Sequence, residues 1–269
     1  MLPIISSKDL RRIEEAMRKG KVEGTLSFDL GKTQTTVVLK KEGFMYEGKE
    51  IKLEKLREDD KSCYIIEEGK LVKLQFLAHD TKLLYKLIPT SGPPLLQCSG
   101  TSMHKKEFVQ RIEKEKLTGK ILDAGTGLGY TAIAAAQTAE YVLTIEHDSH
   151  IITIAKFNPY SQELFERKNI ELIEGDMAEE VEKRETGEFD YLILDGGTPR
   201  ASGDFFSLKN YQECCRILKT EGKVFHYLPN PQIKQGRDFG MEVIDRMEKI
   251  GFKLIERDKE GSYAILQKE

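Results

Sequence analysis

Hydrophobic and polar residues alternate over short runs in the first hundred positions, and glycine-containing turns separate the runs. This pattern predicts a small antiparallel sheet or a partial barrel. Strands are expected at Thr35–Lys40, Phe44–Tyr46, Ile51–Leu53, Cys63–Glu67, Leu71–Leu77 and Leu83–Ile88, after an amphipathic helix near Lys8–Lys19. Pro93 and Pro94 then predict a linker. We therefore expect a β-rich domain with a leading helix at residues 1–98 and a second domain at residues 99–269.

From Lys120 onward, continuous apolar runs alternate with helical segments. Strands of a parallel sheet have this character because helices cover both of its faces. The runs predict strands at Lys120–Ala124, Tyr141–Glu146, Ile170–Glu174, Phe189–Asp195 and Lys223–Leu228, and a last helix at Phe239–Ile250. The final runs, Phe252–Glu256 and Tyr263–Gln267, are too close for a crossover helix and predict an antiparallel hairpin. We therefore predict an α/β fold with a doubly wound, mostly parallel sheet.

Composition narrows the class of protein. Hydrophobic residues make up 39% of the 269 positions, which is adequate for two packed cores. No segment approaches about 20 consecutive apolar residues and the first twenty lack a signal-peptide apolar region, so we expect a cytoplasmic protein with no membrane partner. The four cysteines form no C-x-x-C pair, and Cys215 is predicted to be a core residue of a helix with Leu208, Tyr211 and Leu218.

Charge is distributed unevenly along the chain. Residues 1–118 contain 23 Lys and Arg against 18 Asp and Glu, whereas the remainder contains 19 against 27. This asymmetry indicates an anionic partner for the first half of the chain. Because the basic residues are scattered, an ordinary mixed-charge surface also accounts for it.

The segment Ile121–Tyr130 reads as a buried strand that ends in Asp123 and a turn with three glycines at alternate positions. Glycine accepts positive φ and lets a ligand approach the backbone, so such a turn before a helix predicts a cofactor loop. The spacing is G-x-G-x-G, whereas the dinucleotide fingerprint is G-x-G-x-x-G. Asp123 would repel a pyrophosphate and suits a ligand with an ammonium and a sulfonium group. The alternative is that the glycines only close a tight turn.

This loop resembles the first motif of the class I methyltransferases that use S-adenosylmethionine, whose Rossmann-like sheet also has one reversed strand near its end. The resemblance implies S-adenosylmethionine as cofactor. Its binding residues in the loop would be Asp123, Gly125, Thr126, Gly127 and Gly129.

Further cofactor-binding residues are expected after the next two strands. Glu146 closes the second strand and is predicted to accept hydrogen bonds from the ribose hydroxyls, with His147 bordering the adenine. The resemblance implies that Asp176 meets the adenine amino group and that Met177 lies against the ring. Alternatively, Glu146 is an exposed acid, His147 belongs to a solvated turn, and Asp176 caps a helix that begins near Ala178.

Asp195 follows the fourth strand, where the transferred group and the acceptor should meet. We predict that Asp195 orients the acceptor or takes its proton, and that Arg200 binds an anionic substrate. Methyltransferases that act on base amino groups often have two prolines and an aromatic residue after this position. Gly196 and Gly197 stand there instead, which disfavours that reaction. Asp195 as a turn cap and Arg200 as a surface residue remain the alternative.

His104, before the second domain, and His226, on the fifth strand, are further candidates for a general base, and Tyr227 is a candidate substrate contact. Structural roles are the alternative for both histidines. No His, Cys and carboxylate cluster has the spacing of metal ligands, so no metal is expected.

Leu95–Gly251 also resembles a group of predicted archaeal methyltransferases with features of polyamine synthases. The resemblance rests on the glycine loop and on Met103–His104, Tyr130–Ile133, Asn158–Ser161, Phe225–Tyr227 and Gly236–Asp238. It brings no established acceptor with it.

Methyl transfer from S-adenosylmethionine is therefore the function that the sequence favours. The acceptor is open, with a slight preference for RNA from the mildly basic first domain, although the pI near 6.1 weakens that preference. An aminopropyltransferase is the alternative, since the stretch from Asp195 to Tyr211 resembles spermidine synthases. A non-catalytic cofactor-binding or RNA-binding protein is the third hypothesis. The sequence leaves the oligomeric state open.

Overall fold

A computed structural model describes residues 2–103, 106–197, 204–228 and 238–269. Internal contacts divide the chain into two compact units. The first contains Met1–Met103 and Thr153–Gln162, and the second contains His104–Ile152 and Glu163–Glu269. His104 and Arg200, two of the candidate site residues, lie outside the described residues.

The first unit consists of short antiparallel strands and one helix. Its elements are β1 Ile4–Ser6, α1 Ser7–Arg18, β2 Glu23–Leu26, β3 Thr35–Val38, β4 Gly43–Tyr46, β5 Lys49–Lys52, β6 Cys63–Glu67, β7 Lys70–Lys73, β8 Gln75–Leu77, β9 Leu84–Ile88, β10 Leu95–Cys98 and β11 Thr101–Ser102. The sheet orders are β1-β6-β7 and β11-β10-β9-β8, with the separate hairpins β2-β3 and β4-β5. Ser6 caps α1 by accepting the Asp9 N–H at 3.0 Å, and Leu10 and Ile13 bury one face of the helix.

The structure differs from the sequence expectations in three places. The single strand predicted at Leu71–Leu77 is divided between β7 and β8, which belong to different sheets, because the buried Leu74 donates its N–H to the Cys63 carbonyl at 2.9 Å. Pro93 and Pro94 lie in the hairpin connection between β9 and β10. Residues 153–162 belong to the first unit, where Lys32 donates to the Pro159 carbonyl at 3.1 Å.

The second unit is a sheet with helices on both faces. Its elements are α2 Lys106–Glu115, β12 Lys120–Ala124, α3 Tyr130–Ala135, β13 Tyr141–Glu146, α4 Ser149–Ala155, which ends in the first unit, α5 Gln162–Glu166, β14 Ile170–Glu174, α6 Met177–Glu182, β15 Phe189–Leu194, a short 3-10 helix Asp204–Phe206, α7 Leu208–Ile217, β16 Leu218–Tyr227, α8 Phe239–Glu248, β17 Phe252–Asp258 and β18 Tyr263–Lys268. The sheet order is β14-β13-β12-β15-β16-β18-β17.

All contacts between neighbouring strands from β14 to β16 are parallel, whereas β18 is antiparallel to both β16 and β17. The predicted doubly wound sheet with one reversed strand is therefore confirmed. Because side chains alternate between the faces of a strand, each face has its own core. Leu122 and Leu192 pack with α6, α7 and α8, and Ile121 and Ile193 pack with α2 and α3.

Helix α7 refines the expectation for the cysteines. Cys214 is fully buried in the core beside Tyr211 and Ile217, whereas Cys215 is half-buried at its margin and contacts the Ile250 carbonyl. Within the described parts of the chain, no helix is long and apolar enough to span a membrane, and no group of acid, His or Cys side chains is arranged to hold a metal ion.

Candidate functional site

The glycine loop connects β12 to α3 at the carboxyl end of the sheet. Gly125, Gly127 and Gly129 all have positive φ, at 87°, 56° and 80°. A Cβ atom on Gly125 would lie 1.8 Å from the backbone oxygen of Asp195, and one on Gly129 would lie 2.8 Å from the Leu164 side chain. Side chains larger than hydrogen are therefore excluded from the first position by backbone that cannot move aside.

Backbone hydrogen bonds hold the loop against the end of β13. The N–H groups of Gly125 and Thr126 both donate to the Ile145 carbonyl, at 3.0 and 3.2 Å. The Gly127 N–H donates to Glu146 Oε2 at 2.8 Å. The loop conformation is thus fixed to the strand that carries the candidate ribose acid.

Asp123 lies beneath the loop with 1% of its surface exposed. Its Oδ2 accepts the Thr144 hydroxyl at 2.6 Å, and Thr131 also donates to the carboxylate. Burial raises its pKa to about 6, opposed by these hydrogen bonds and assisted by the charge of Glu146. The Thr126 and Thr144 hydroxyls are also within hydrogen-bond distance, at 2.6 Å.

Glu146 is 7% exposed at the carboxyl end of β13. One oxygen accepts the Gly127 N–H and the other accepts the Asp148 N–H at 3.0 Å. Burial raises the pKa of Glu146 although both hydrogen bonds favour the charged form. Since each carboxylate oxygen has two lone pairs, both can still accept a ligand hydroxyl.

The candidate adenine residues lie on the neighbouring loops. Asp176 caps α6 by accepting the Ala178 N–H at 2.7 Å, and its other oxygen lies 3.9 Å from Nδ1 of His147, whose side chain is 79% exposed. Capping therefore accounts for only one of its oxygens. Met177 is buried in the core against α7.

Asn210, which the sequence did not single out, lies beside Met177. Its Nδ2 donates to the Phe205 carbonyl at 2.7 Å and contacts Met177 Sδ at 3.7 Å. Its Oδ1 is buried and has no hydrogen-bond partner in the described parts of the chain. An asparagine near the start of a helix has no distinctive sequence signal, because such positions are often occupied by cap-forming residues.

Asp195 follows β15 and is half-buried. Its N–H donates to the Ala124 carbonyl at 2.8 Å, and its Oδ1 accepts the Gly197 N–H at 3.2 Å. Burial raises the pKa of Asp195 to about 7, and the charges of Asp123 and Glu146 add to this effect. A role as a turn cap therefore explains the contact with the Gly197 N–H. It does not explain why Asp195 lies near enough to Asp123 and Glu146 for their charges to raise its pKa.

His226 lies in the core instead of at the open edge of the sheet. Its Nε2 is 2.9 Å from the Tyr211 hydroxyl, its Nδ1 is 3.0 Å from the Tyr227 carbonyl, and the Phe206 ring stacks on it. Complete burial lowers its pKa to about 4. Tyr227, the next residue, is half-buried and belongs to the other face of the sheet, with Phe225.

The structure thus brings Asp123, Glu146 and Asp195 to one face at the ends of three adjacent strands. In the described ranges, no lysine or arginine pairs with any of them, and the charge of Glu146 acts on Asp123 while both act on Asp195. Such a site suits a cationic nucleoside ligand whose hydroxyls can reach Glu146. The fold and these three acids are those of a class I methyltransferase, and the residues fit S-adenosylmethionine.

Comparison with known proteins agrees with this class. Residues 115–264 match the family described as a methyltransferase domain, and the chain belongs to that family. The uncharacterized protein MJ1233 of Methanocaldococcus jannaschii is 35% identical over 219 residues, which cover 78% of this chain and 74% of that protein. The predicted methyltransferase class and its cofactor are confirmed, and an archaeal relative is consistent with the predicted group.

The fold is also similar to solved spermidine synthases. One, in complex with the transition state analogue AdoDATO, has a TM-score of 0.57 and 20% identity and covers 73% of this chain and 76% of its own. The spermidine synthase from Thermotoga maritima has a TM-score of 0.55 and 18% identity, with 73% and 75% covered. At these identities the likeness concerns the fold.

Proposed function

We propose that the chain binds S-adenosylmethionine across the carboxyl ends of β13, β12 and β15 and methylates an acceptor held beside Asp195. The observation that carries this proposal is the meeting of Asp123, Glu146 and Asp195 around a loop of three positive-φ glycines. When bound, the cofactor supplies a methyl carbon made electrophilic by the adjacent sulfonium.

Each described residue then has a proposed role. Glu146 accepts the ribose hydroxyls, and Asp176 and His147 border the adenine, with Met177 packed beneath them. Gly125, Thr126, Gly127 and Gly129 keep the backbone close to the ligand, while Asp123 supports the loop and contributes negative charge. Asp195 orients the acceptor and takes its proton, since its raised pKa lies near neutrality.

For His226 we propose a structural role. Its ring nitrogens are both occupied by protein partners, and its lowered pKa leaves it neutral at pH 7. A general base must reach the proton that it removes, which complete burial prevents. His104 and Arg200 keep the roles proposed from the sequence, as a candidate base and a candidate substrate contact.

Aminopropyl transfer is a second candidate that the charge of the site favours. A decarboxylated donor has a sulfonium and an ammonium group but no carboxylate. Three carboxylates without a lysine or arginine partner in the described ranges therefore match its charge better than that of the intact donor. Both donors should be tested on the same protein.

Calorimetry and thermal melting with S-adenosylmethionine, its decarboxylated form and NAD test the proposal. Binding of the intact donor should raise the melting temperature by linkage, and the double variant Asp123→Ala, Glu146→Ala should lose this effect. Preference for NAD, or no binding of either sulfonium compound, would contradict the proposal. Preference for the decarboxylated donor would favour aminopropyl transfer.

A further inference from the structure

Asn210, in the first turn of α7, joins the segment after β14 to the segment after β15. Its Nδ2 donates to the Phe205 carbonyl at 2.7 Å and contacts Met177 Sδ at 3.7 Å, and only 2% of the residue is exposed. Met177 begins α6, and Phe205 lies in the 3-10 helix before α7. Since an amide nitrogen carries two hydrogens, one buried side chain can hold both elements.

The Phe205 ring continues this connection to the candidate site. A Cβ atom on Gly196 would overlap the ring, so the ring lies where only a glycine leaves room for it. Gly196 follows Asp195, whose backbone oxygen lies equally close to Gly125 of the glycine loop. A contact that holds Phe205 therefore also holds the backbone between Asp195 and the loop.

Helix α7 is anchored in the core, away from these segments. Ser207 caps it by accepting the Asn210 N–H at 3.1 Å, and the Tyr211 hydroxyl lies 2.9 Å from Nε2 of the buried His226. Cys214, one turn further along, is fully buried. The Asn210 side chain thus extends from a fixed element, which suits a residue that positions others.

The oxygen of the same amide does not stabilise the fold. Asn210 Oδ1 is buried and has no hydrogen-bond partner in the described ranges. It has lost its hydrogen bonds with water, which costs free energy, whereas a leucine has the same branching and no polar atom. The contacts that Nδ2 makes explain an asparagine here better than a contribution to stability does.

We propose, on the basis of the function proposed above, that Asn210 is a positioning residue for donor binding. Its amide fixes the start of α6, where Asp176 meets the adenine, relative to the backbone of Asp195 and Gly196. Its burial keeps it from touching the donor itself. Because these two sides of the site are held before the donor arrives, less conformational freedom is lost on binding.

Calorimetric titration of Asn210→Leu with S-adenosylhomocysteine and with 5′-methylthioadenosine tests this role. Both ligands contain adenosine, and only the first has the amino-acid end. Affinity for each should fall about tenfold, by the same factor within about twofold, because the displaced segments border the adenosine part. The melting temperature without ligand should change by less than about 2 °C, since removal of the unpaired Oδ1 offsets release of the Phe205 carbonyl.

Asn169→Leu is the matched control. The Nδ2 of Asn169 also donates to two backbone groups, the Ala136 and Ala139 carbonyls, at 2.9 and 3.0 Å. These contacts lie outside the candidate site, so the variant should lower the melting temperature by about 2–4 °C and leave both affinities unchanged.

Gly196→Ala tests the same connection without changing Asn210, because the added Cβ displaces the Phe205 ring. It should also weaken binding about tenfold. The double variant with Asn210→Leu should lose much less than the roughly 100-fold of two independent effects, since both changes act through Phe205.

Unchanged affinities in Asn210→Leu, or losses that multiply in the double variant, would overturn the positioning role and leave donor binding intact. A loss confined to S-adenosylhomocysteine would also overturn it, because the effect would then lie at the amino-acid end. If the wild-type protein bound neither nucleoside, the proposed function itself would be overturned together with this inference.

Discussion

Asp190 and Asp195 lie at opposite ends of β15, and their pKa values are shifted in opposite directions. At the beginning of the strand, Asp190 accepts the Lys219 ammonium at 2.7 Å and the Lys120 N–H at 2.9 Å, and its pKa is lowered despite partial burial. After the end of the strand, the pKa of Asp195 is raised to about 7. The carboxylate at the beginning of the strand is paired within the protein, whereas no lysine or arginine of the described ranges pairs with the carboxylate after its end.

The edge of the sheet at which Asp190 lies also has an opening. A polar cleft of about 720 Å³ lies there, lined by residues that include Gly119, Asp190 and Lys219. Its charges are mixed, and its aspartate has its partners within the protein. The volume of this cleft therefore does not by itself indicate a reactive site, because its aspartate is already paired within the protein.

Glycine substitutions at the two edges of the sheet should differ most strongly in their effect on donor binding. Gly125→Ala places Cβ against the Asp195 backbone at positive φ, so we expect at least about 100-fold weaker donor binding, with about 2–4 kcal/mol lower stability. Gly119→Ala meets only the Asp190 side chain, which can move aside by giving up its contacts with Lys120 and Lys219, and should cost about 2–3 kcal/mol with unchanged donor affinity. Calorimetry and urea unfolding measure both. Equal donor affinities in the two variants would contradict the assignment of the loop.

Glu146→Gln should weaken donor binding by about 10–100-fold, because two hydrogen bonds to the ribose lose their charge assistance, about 1 kcal/mol each. The control is Glu171→Gln on neighbouring β14, where the acid is exposed and contacts Tyr141. Calorimetric titration of both variants provides the measurement. A similar loss in Glu171→Gln would show that general surface charge is responsible.

Donor binding should become tighter as pH rises through about 6 to 7, the range in which Asp123 and Asp195 ionise. A cationic ligand favours the charged carboxylates, so binding lowers their pKa values and releases protons; each unit of lowering gives about tenfold in affinity. Calorimetry at pH 6.5 in buffers of different ionisation enthalpy measures that release. Asp190→Asn should leave it unchanged, and proton uptake on binding would contradict the expectation.

The smallest effects concern the stability of the ligand-free protein. A raised pKa means that Asp195 loses stabilising free energy as pH rises from about 4 to 7, so Asp195→Asn should increase stability at pH 8. The pKa of Asp190 is lowered, so its carboxylate stabilises the fold at pH values above its pKa in the unfolded chain. Asp190→Asn removes the ion pair with Lys219. We expect opposite shifts in melting temperature of about 2–4 °C. Scanning calorimetry at pH 8 measures them, and shifts of the same sign would remove the contrast.

Much of the second unit followed from local pattern. The continuous apolar runs predicted the parallel strands because burial on both faces leaves little room for polar positions. The short separation of Phe252–Glu256 and Tyr263–Gln267 excluded a crossover helix and predicted the reversed strand. The glycine spacing and the acids at strand ends predicted the cofactor class, since backbone conformation and strand polarity are local properties.

Long-range packing decided what the sequence could not. The pattern of Phe225–Tyr227 is compatible with either face inward, and packing against Tyr211 and Phe206 buries His226. The addition of residues 153–162 to the first unit depends on contacts with residues more than a hundred positions earlier, such as Lys32. The contact of Asn210 with Met177 likewise joins separate segments of the chain.

The sequence by itself determined which candidate site residues follow which strand. The glycine loop follows Asp123, Glu146 ends the next strand, and Asp195 follows a later one. Only the tertiary structure decided that these three carboxylates share a face without a lysine or arginine partner in the described ranges, whereas Asp190 on the same strand has one. The physical reason is that backbone φ and burial pattern are set by neighbouring residues, whereas the field on a charge is set by groups brought together through folding.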